Sequence, residues 1–401
     1  MIGHVIGQSY TAQLRNWCRA HGGRFSGHYF GEEMLVDHVR SYGNMLSVQR
    51  QSDYPGMDIL ACWPEGYFPQ DAKYVQMAAR KCGSNGFMAE VCPFDNPEEF
   101  GKAPFDNLLA TMGLNYISGV RTTQSYAEAD FSAFGDGRFR DFLPRNQDMF
   151  GQVRKYFDRA QMRQLNAYVG RMGLLLDGLQ NQCTTVLYFG IEDVQAKYTP
   201  KHDCEVGAQA IGCDLATLRL LRAMLDEGRD FLFADAEDLT EIARTGRLGG
   251  EEIRRILLPG LDVIRPEALA ALRQLKKAGV CVLFAEKLPH IDALSGQQLQ
   301  LAGEFEAVSV QEAVQIPDAQ EPQFKTLSGP IVRQARYRTR DSKSMFFLLN
   351  PGRTESVVRL PGADARRCTV LDPFTGTITQ ERLNRDWTVP VVRGIFIIIE
   401  E

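Results

Sequence analysis

The chain has 401 residues, of which 44% are hydrophobic and 24% charged, with a formal net charge of -5 and a pI near 5.8. That length and composition describe a globular chain of two or three domains. The acidic balance offers nothing to nucleic acid, and no apolar run approaches the roughly 20 residues that a membrane span needs. The nine cysteines (positions 18, 62, 82, 92, 183, 204, 213, 281 and 368) are odd in number and show no CxxC spacing. Reduced thiols in a cytoplasmic setting are therefore expected rather than a disulfide framework, with location left open if the amino terminus is truncated.

Residues 1–130 alternate helix and strand. Gln13–Ala20 reads as a helix end stopped by Gly22-Gly23, followed by a strand over 24–30. A second strand is expected at Met57–Trp63. Asp71 then caps a helix whose apolar residues Tyr74, Met77, Ala78 and Cys82 recur with a 3.6-residue period. A third strand follows at 87–92. Phe105, Leu108, Leu109 and Met112 mark a helix ended by Gly113, and Asn115–Val120 reads as a fourth strand. Parallel pairing is expected for such a series. Four βα units amount to half of a (β/α)8 barrel, which takes roughly 250 residues, and the pattern opens in mid-course, as in an amino-terminally truncated frame or a fragment.

Residues 131–182 read as a polar loop and a long helix from about Gly151 to Asn181. Residues 183–320 form a second α/β unit, with strands at Thr185–Phe189, Arg229–Ala234, Ile253–Leu258 and Val280–Ala285. Its helices are capped by Asp214 and opened by Pro266, and an open, doubly wound, Rossmann- or flavodoxin-like sheet is expected. From 325 to 401 the pattern is β only, with turns at Asn350-Pro-Gly352, Pro361-Gly362 and Asp372–Gly376, which describes a small antiparallel β-sandwich.

Two glutamates carry the functional reading. Glu90 interrupts the apolar strand Phe87-Met-Ala-Glu-Val-Cys92, and a charge in a strand buried on both faces needs a site or a partner. Glu32 lies an even number of residues from His28, so the two share a face if the strand stays extended. Carboxylates at the carboxyl ends of successive strands converge on one face of a barrel, and two facing carboxyl groups are the minimum equipment for cleaving a glycosidic bond. Glu32 is read as the acid and Glu90 as the base or nucleophile. His28, Tyr29, Asp58, Trp63, Arg121 and Tyr126 are the substrate-binding candidates. Asp58, after Pro55-Gly56, could equally cap a turn. No GxGxxG, P-loop, HxxxH or HExxH spacing is present.

Gly27-His-Tyr-Phe-Gly-Glu32, Tyr54-Pro-Gly-Met-Asp58, Met88-Ala-Glu90, Gly113-Leu-Asn-Tyr116, Phe346-Phe-Leu-Leu-Asn350 and Val370-Leu-Asp-Pro-Phe-Thr-Gly376 occur in this order along the chain. Together they resemble multidomain glycoside hydrolases of the α-L-rhamnosidase type, or of the β-galactosidase type with a trimerisation-like domain. Leu371 stands where that pattern has Trp, and Ser118–Arg121 where it has a histidine. The resemblance implies a partial barrel, a non-catalytic α/β domain and a β-sandwich, with carbohydrate as substrate and hydrolysis as reaction. In rhamnosidase-like members it also implies a calcium ion at the site. Homo-oligomerisation would accompany the α/β domain. The alternative is a non-catalytic carbohydrate-binding or assembly protein derived from such a hydrolase.

Overall fold

The computed structural model describes residues 2–59, 62–67, 69–92, 104–125, 159–200, 208–315 and 322–400. Four parallel strands stand side by side in chain order: β1 (Ser26–Gly27), β2 (Tyr54–Ile59), β3 (Phe87–Val91) and β4 (Val120–Ser125). Helix α1 (Pro69–Cys82) links β2 to β3, and α2 (Phe105–Ser118) precedes β4. The strand expected over 24–30 shrinks to two residues. It pairs only with Tyr54 and Pro55, the latter without an N–H to offer, and the chain then turns through Gly31 at φ 79°.

The segment 115–120 is a second correction. It continues α2 to Ser118, so Gly113 lies inside a helix and the Gly113–Tyr116 motif is not on a strand. Nearly all of α2 is buried, and Gly113 lets a neighbour approach: a Cβ there would lie 2.6 Å from Leu349 Cδ1 in the sandwich. The helix stops at Gly119, whose φ of 113° no side chain favours. Asp71 and Asp214 are not caps either. Asp71 sits buried in the first turn of α1. Asp214 lies within helix Ala208–Asp226, where its carboxylate accepts the Val36 N–H.

Helix α3 (Arg159–Leu176) is the described part of the long helix, with Leu165, Tyr168, Met172 and Leu176 buried; Tyr156 lies outside the described residues. Beyond it, β5 (Thr185–Tyr188), β6 (Leu232–Ala234), β7 (Arg255–Leu258), β8 (Cys281–Ala285) and β9 (Ala307–Val308) form one parallel sheet in the order β9-β8-β7-β5-β6. This is the flavodoxin-like strand order, with apolar clusters on both faces of the sheet. Pro266 opens a helix at its first position, as expected.

From residue 325 onward the described strands pair antiparallel. β10 (Lys325–Ser328), β13 (Ser356–Arg359) and β16 (Trp387–Val389) make one sheet. β11 (Arg333–Arg338), β12 (Ser344–Leu349), β17 (Gly394–Ile399), β14 (Arg367–Leu371) and β15 (Ile378–Arg382) make the other. The run Trp387–Glu400 is two strands, broken at Val392, which has φ 51°. The Asn350 amide donates to the Thr354 and Val389 carbonyls, and the Asp372 carboxylate accepts the Phe374 and Thr375 N–H groups, so both motif residues serve turns.

The cores are shared between these parts. One cluster joins β2–β4, α1, α2 and α3 to the inner face of β11, β12 and β17. Another joins α1 and residues 35–46 to one face of the flavodoxin-like sheet. Gly113→Val should therefore destabilise the protein by about 1–3 kcal/mol through overpacking against Leu349. Urea unfolding of Gly113→Val, Leu349→Ala and the double variant measures this, and the expected result is a double variant less destabilised than the sum of the two.

Candidate active site

Asp58 and Glu90 occupy equivalent places, each next to last in its strand. The register pairs Asp58 with Glu90 and Glu90 with Gln124 across three adjacent strands. Neighbouring strands lie about 4.8 Å apart, so these side chains form one row at the carboxyl edge of the sheet. Asp58 is thus not a turn cap at the start of β2 but a member of the row near its end.

His28 follows β1 by one residue and reaches the same edge. Its Nε2 lies 3.1 Å from Glu90 Oε2, and its Nδ1 lies 3.9 Å from Glu32 Oε1. One imidazole therefore stands between Glu32 and Glu90, and the nearest oxygens of the two carboxyl groups can be no more than about 10 Å apart, the upper end of the separations of glycosidase carboxylate pairs. The shared face inferred for an extended 24–30 strand is not the cause. The loop after β1 folds back, and the Glu32 carboxylate fastens it by accepting the Tyr29 N–H at 2.6 Å and the Asp58 N–H at 2.8 Å.

Those two bonds leave Glu32 only 3% exposed. Its backbone carbonyl accepts the Nε2–H of His38, which is neutral because complete burial lowers its pKa to about 4. Burial raises the Glu32 pKa well above the ordinary carboxyl value against the pull of the two amide donors. The Asp58 pKa is raised to about 6, chiefly by burial, with His28 opposing and the charges of Glu90 and Glu33 adding to it. Fully buried Asp71, at the start of α1, is also pushed well up, by burial and then by Glu33 and Glu32. Its carboxyl belongs to the site's electrostatics, which sequence periodicity could not show, since a first-turn acid is ordinary in any helix.

Three other candidates part from the site or frame it. Trp63 is 46% exposed beyond β2 and folds its indole over Gly66, where a Cβ would meet the ring at 2.1 Å. Tyr29 spends its hydroxyl on Thr11, while its backbone N–H is held by Glu32. Arg121 is a correction: it sits at the amino-terminal end of β4, where its guanidinium donates to the carbonyls of Tyr116, Val120 and Leu179 and lies 5.8 Å from the Tyr337 ring centre. It ties the sheet to the rest of the fold at the edge opposite Glu90. Tyr126 lies outside the described residues.

Among the described residues, no group of three or more His, Cys, Asp or Glu side chains is arranged to hold a metal ion, so the calcium expectation finds no ligand set there. No helix among them is long and apolar enough to cross a membrane. The eight described cysteines are free thiols.

No known family profile matches the sequence. No curated protein matches it either. Solved structures do. A β-galactosidase from Bacillus circulans sp. alkalophilus aligns with a TM-score of 0.59 at 10% identity, covering 88% of this chain and 61% of that one. A catalytic mutant of Gan42B, a GH42 β-galactosidase from G. stearothermophilus, aligns with a TM-score of 0.55 at 10% identity, covering 89% and 60%. The α-L-fucosidase isoenzyme 2 from Paenibacillus thiaminolyticus aligns with a TM-score of 0.57 at 11% identity, covering 98% and 70%. The chain spans about three-fifths of the length of these β-galactosidases, and the likeness, a mixed α/β architecture with parallel sheets, is one of fold.

Proposed function

We propose that this chain is a glycoside hydrolase, or the part of one that carries the Glu90 edge, and that β1–β4 are four units of a (β/α)8 barrel. The observation that carries the reading is the meeting of Glu90, Asp58, His28 and Glu32 at the carboxyl edge of a parallel sheet, on a chain whose three-part fold resembles two kinds of glycosidase. Carbohydrate is the substrate class, and terminal galactosides and fucosides are the first to try.

Glu90 acts as the base or nucleophile. It stands at the open edge with His28 to orient its carboxylate. The proton donor is Asp58 rather than Glu32. Asp58 keeps its proton to about pH 6 and remains partly exposed, whereas both Glu32 oxygens are spent on backbone amides. Burial and then the charges of Glu90 and Glu33 hold up the proton affinity of Asp58, and Trp63 offers an aromatic face for a sugar ring. The second reading, a carbohydrate-binding remnant, is favoured by one observation: among the described residues β1 and β4 are open edges, so the sheet supplies one wall of a cleft.

Turnover of aryl β-galactosides and aryl α-L-fucosides decides between the two. The expected result is hydrolysis that Glu90→Gln lowers by about 10²–10⁴-fold. Sugar binding by calorimetry without turnover favours the remnant, and an unchanged rate in Glu90→Gln removes Glu90 from the mechanism.

Activity should fall as pH rises through about 6, where Asp58 loses its proton. In Asp58→Asn the residual activity should lack that limb, and a limb that persists assigns the acid to another group. Stability gives a test that needs no substrate. The folded state raises the Asp58 pKa, so its protonation stabilises the protein below the usual 3.8, and that contribution is lost as pH rises through about 6. The Tm should accordingly drop less between pH 4 and pH 7.5 in Asp58→Asn than in the unsubstituted chain.

A further inference from the structure

Where α1 and α2, the carboxyl end of helix Ala208–Asp226 and strand β11 meet, they enclose a cavity of about 290 Å³ lined by Lys73, Arg222, Arg229, Arg333, Asp226 and Asp230 among others. Its volume is near the lower end of the roughly 300–1,000 Å³ range of small-ligand pockets. Its charges do not balance. Lys73, 2% exposed, gives its ammonium to Asp230 Oδ1 at 2.5 Å, to the Phe231 carbonyl and to Gln76. Asp230 in turn is held by Lys73 and the Asn181 amide, so this pair is complete in itself. Arg229 has an interaction of its own, and what remains is two guanidinium groups, those of Arg222 and Arg333, facing a single carboxylate, that of Asp226.

That carboxylate is a weak counter-charge. Asp226 is 71% exposed at its side chain and lies 3.5 Å from Arg333 Nη2. Arg333 Nη1 is buried without a hydrogen-bond acceptor. Burial also lowers the Arg333 pKa, as it does for an arginine whose charge is poorly compensated. Arg222 makes no hydrogen bond or ion pair with the described residues. Nearby, burial and then the charge of Arg229 lower the Lys325 pKa against the opposing charge of Glu227. Arginine forks are suited to the tetrahedral oxygens of phosphate and sulfate.

We propose that this junction cavity is an anion site that takes a phosphate or sulfate group, free or as an ester on a sugar, with Arg222 and Arg333 as its principal donors. Its lining includes none of His28, Glu32, Asp58 or Glu90, and it stands whether or not the Glu90 edge hydrolyses glycosides. An anion there would touch the barrel-like sheet's helices, the flavodoxin-like unit and the sandwich together, and so would stabilise their assembly.

Thermal unfolding of the whole chain in inorganic phosphate, in sulfate and in a hexose 6-phosphate, against chloride at matched ionic strength, tests this. The expected result is a saturable rise in Tm that Arg333→Gln and Arg222→Gln each weaken by about tenfold in half-saturating concentration, as for the loss of one charge-assisted bond. A response to the inorganic ions identifies a free-ion site, and a response to the hexose phosphate alone identifies an ester site. Arg222→Gln alters an exposed side chain, so its folding is secure if Arg333→Gln fails to fold. No saturable rise, or an equal rise in both variants, which is a general salt effect on folding, overturns the proposal.

Discussion

Helix α1 is the element on which the rest of this structure depends, because it is buried on opposite sides at once. Nine of its fourteen residues are buried. Val75 and Ala79 enter the core beneath β2–β4, while Tyr74, Met77 and Ala78 enter the core on one face of the flavodoxin-like sheet. A helix placed between two layers must bury polar residues as well, and these have specific partners. Lys73 pairs with Asp230, Arg80 with Asp238, and Lys81 with Asp235. Removing one member of such a buried pair leaves a charge without water or partner, a cost of about 3–5 kcal/mol. The relation between the two sheets is thus set by charge as well as by packing.

The same helix presents Asp71 to the carboxylate edge from its first turn. Packing and site chemistry are linked there. Burial that serves the core also removes Asp71, Glu32 and Asp58 from water, and desolvation is the leading cause of the raised pKa in each. A group of acids in one partly dry space cannot all ionise freely, and the fold divides their work. Glu32 takes two amide hydrogen bonds and holds the loop, whereas Asp58 and Glu90 stay at the edge.

The sandwich is fastened to this arrangement rather than appended to it. Leu349 fills the gap over Gly113, Phe347 and Phe396 stack at 4.5 Å within the shared core, and Arg171 of α3 donates to the carbonyls of Pro373 and Phe374. The order of the short motifs along the chain reflects these turns and contacts. Asn350 and Asp372 are turn-makers, which explains why they stand out in sequence while remaining far from the carboxylates.

By itself the sequence determined the alternation of elements, the parallel βα series, the sandwich and the singular position of Glu90. Each of these follows from local periodicity, turn residues and the cost of a charge in an apolar strand. It could not place 115–118, because a buried apolar stretch after a glycine reads equally as strand or helix until Leu349 is known to lie against Gly113. Nor could it separate Arg121 from the site. An arginine near a strand end looks the same at either edge of a sheet, and only the carbonyls around it show which edge it occupies. Only the tertiary structure decided that His28 stands between Glu32 and Glu90, that Asp58 shares a row with Glu90, and that Asp71 faces them. These are relations among residues far apart in the chain, created by strand register and by a helix buried on both sides, and local pattern carries no information about either.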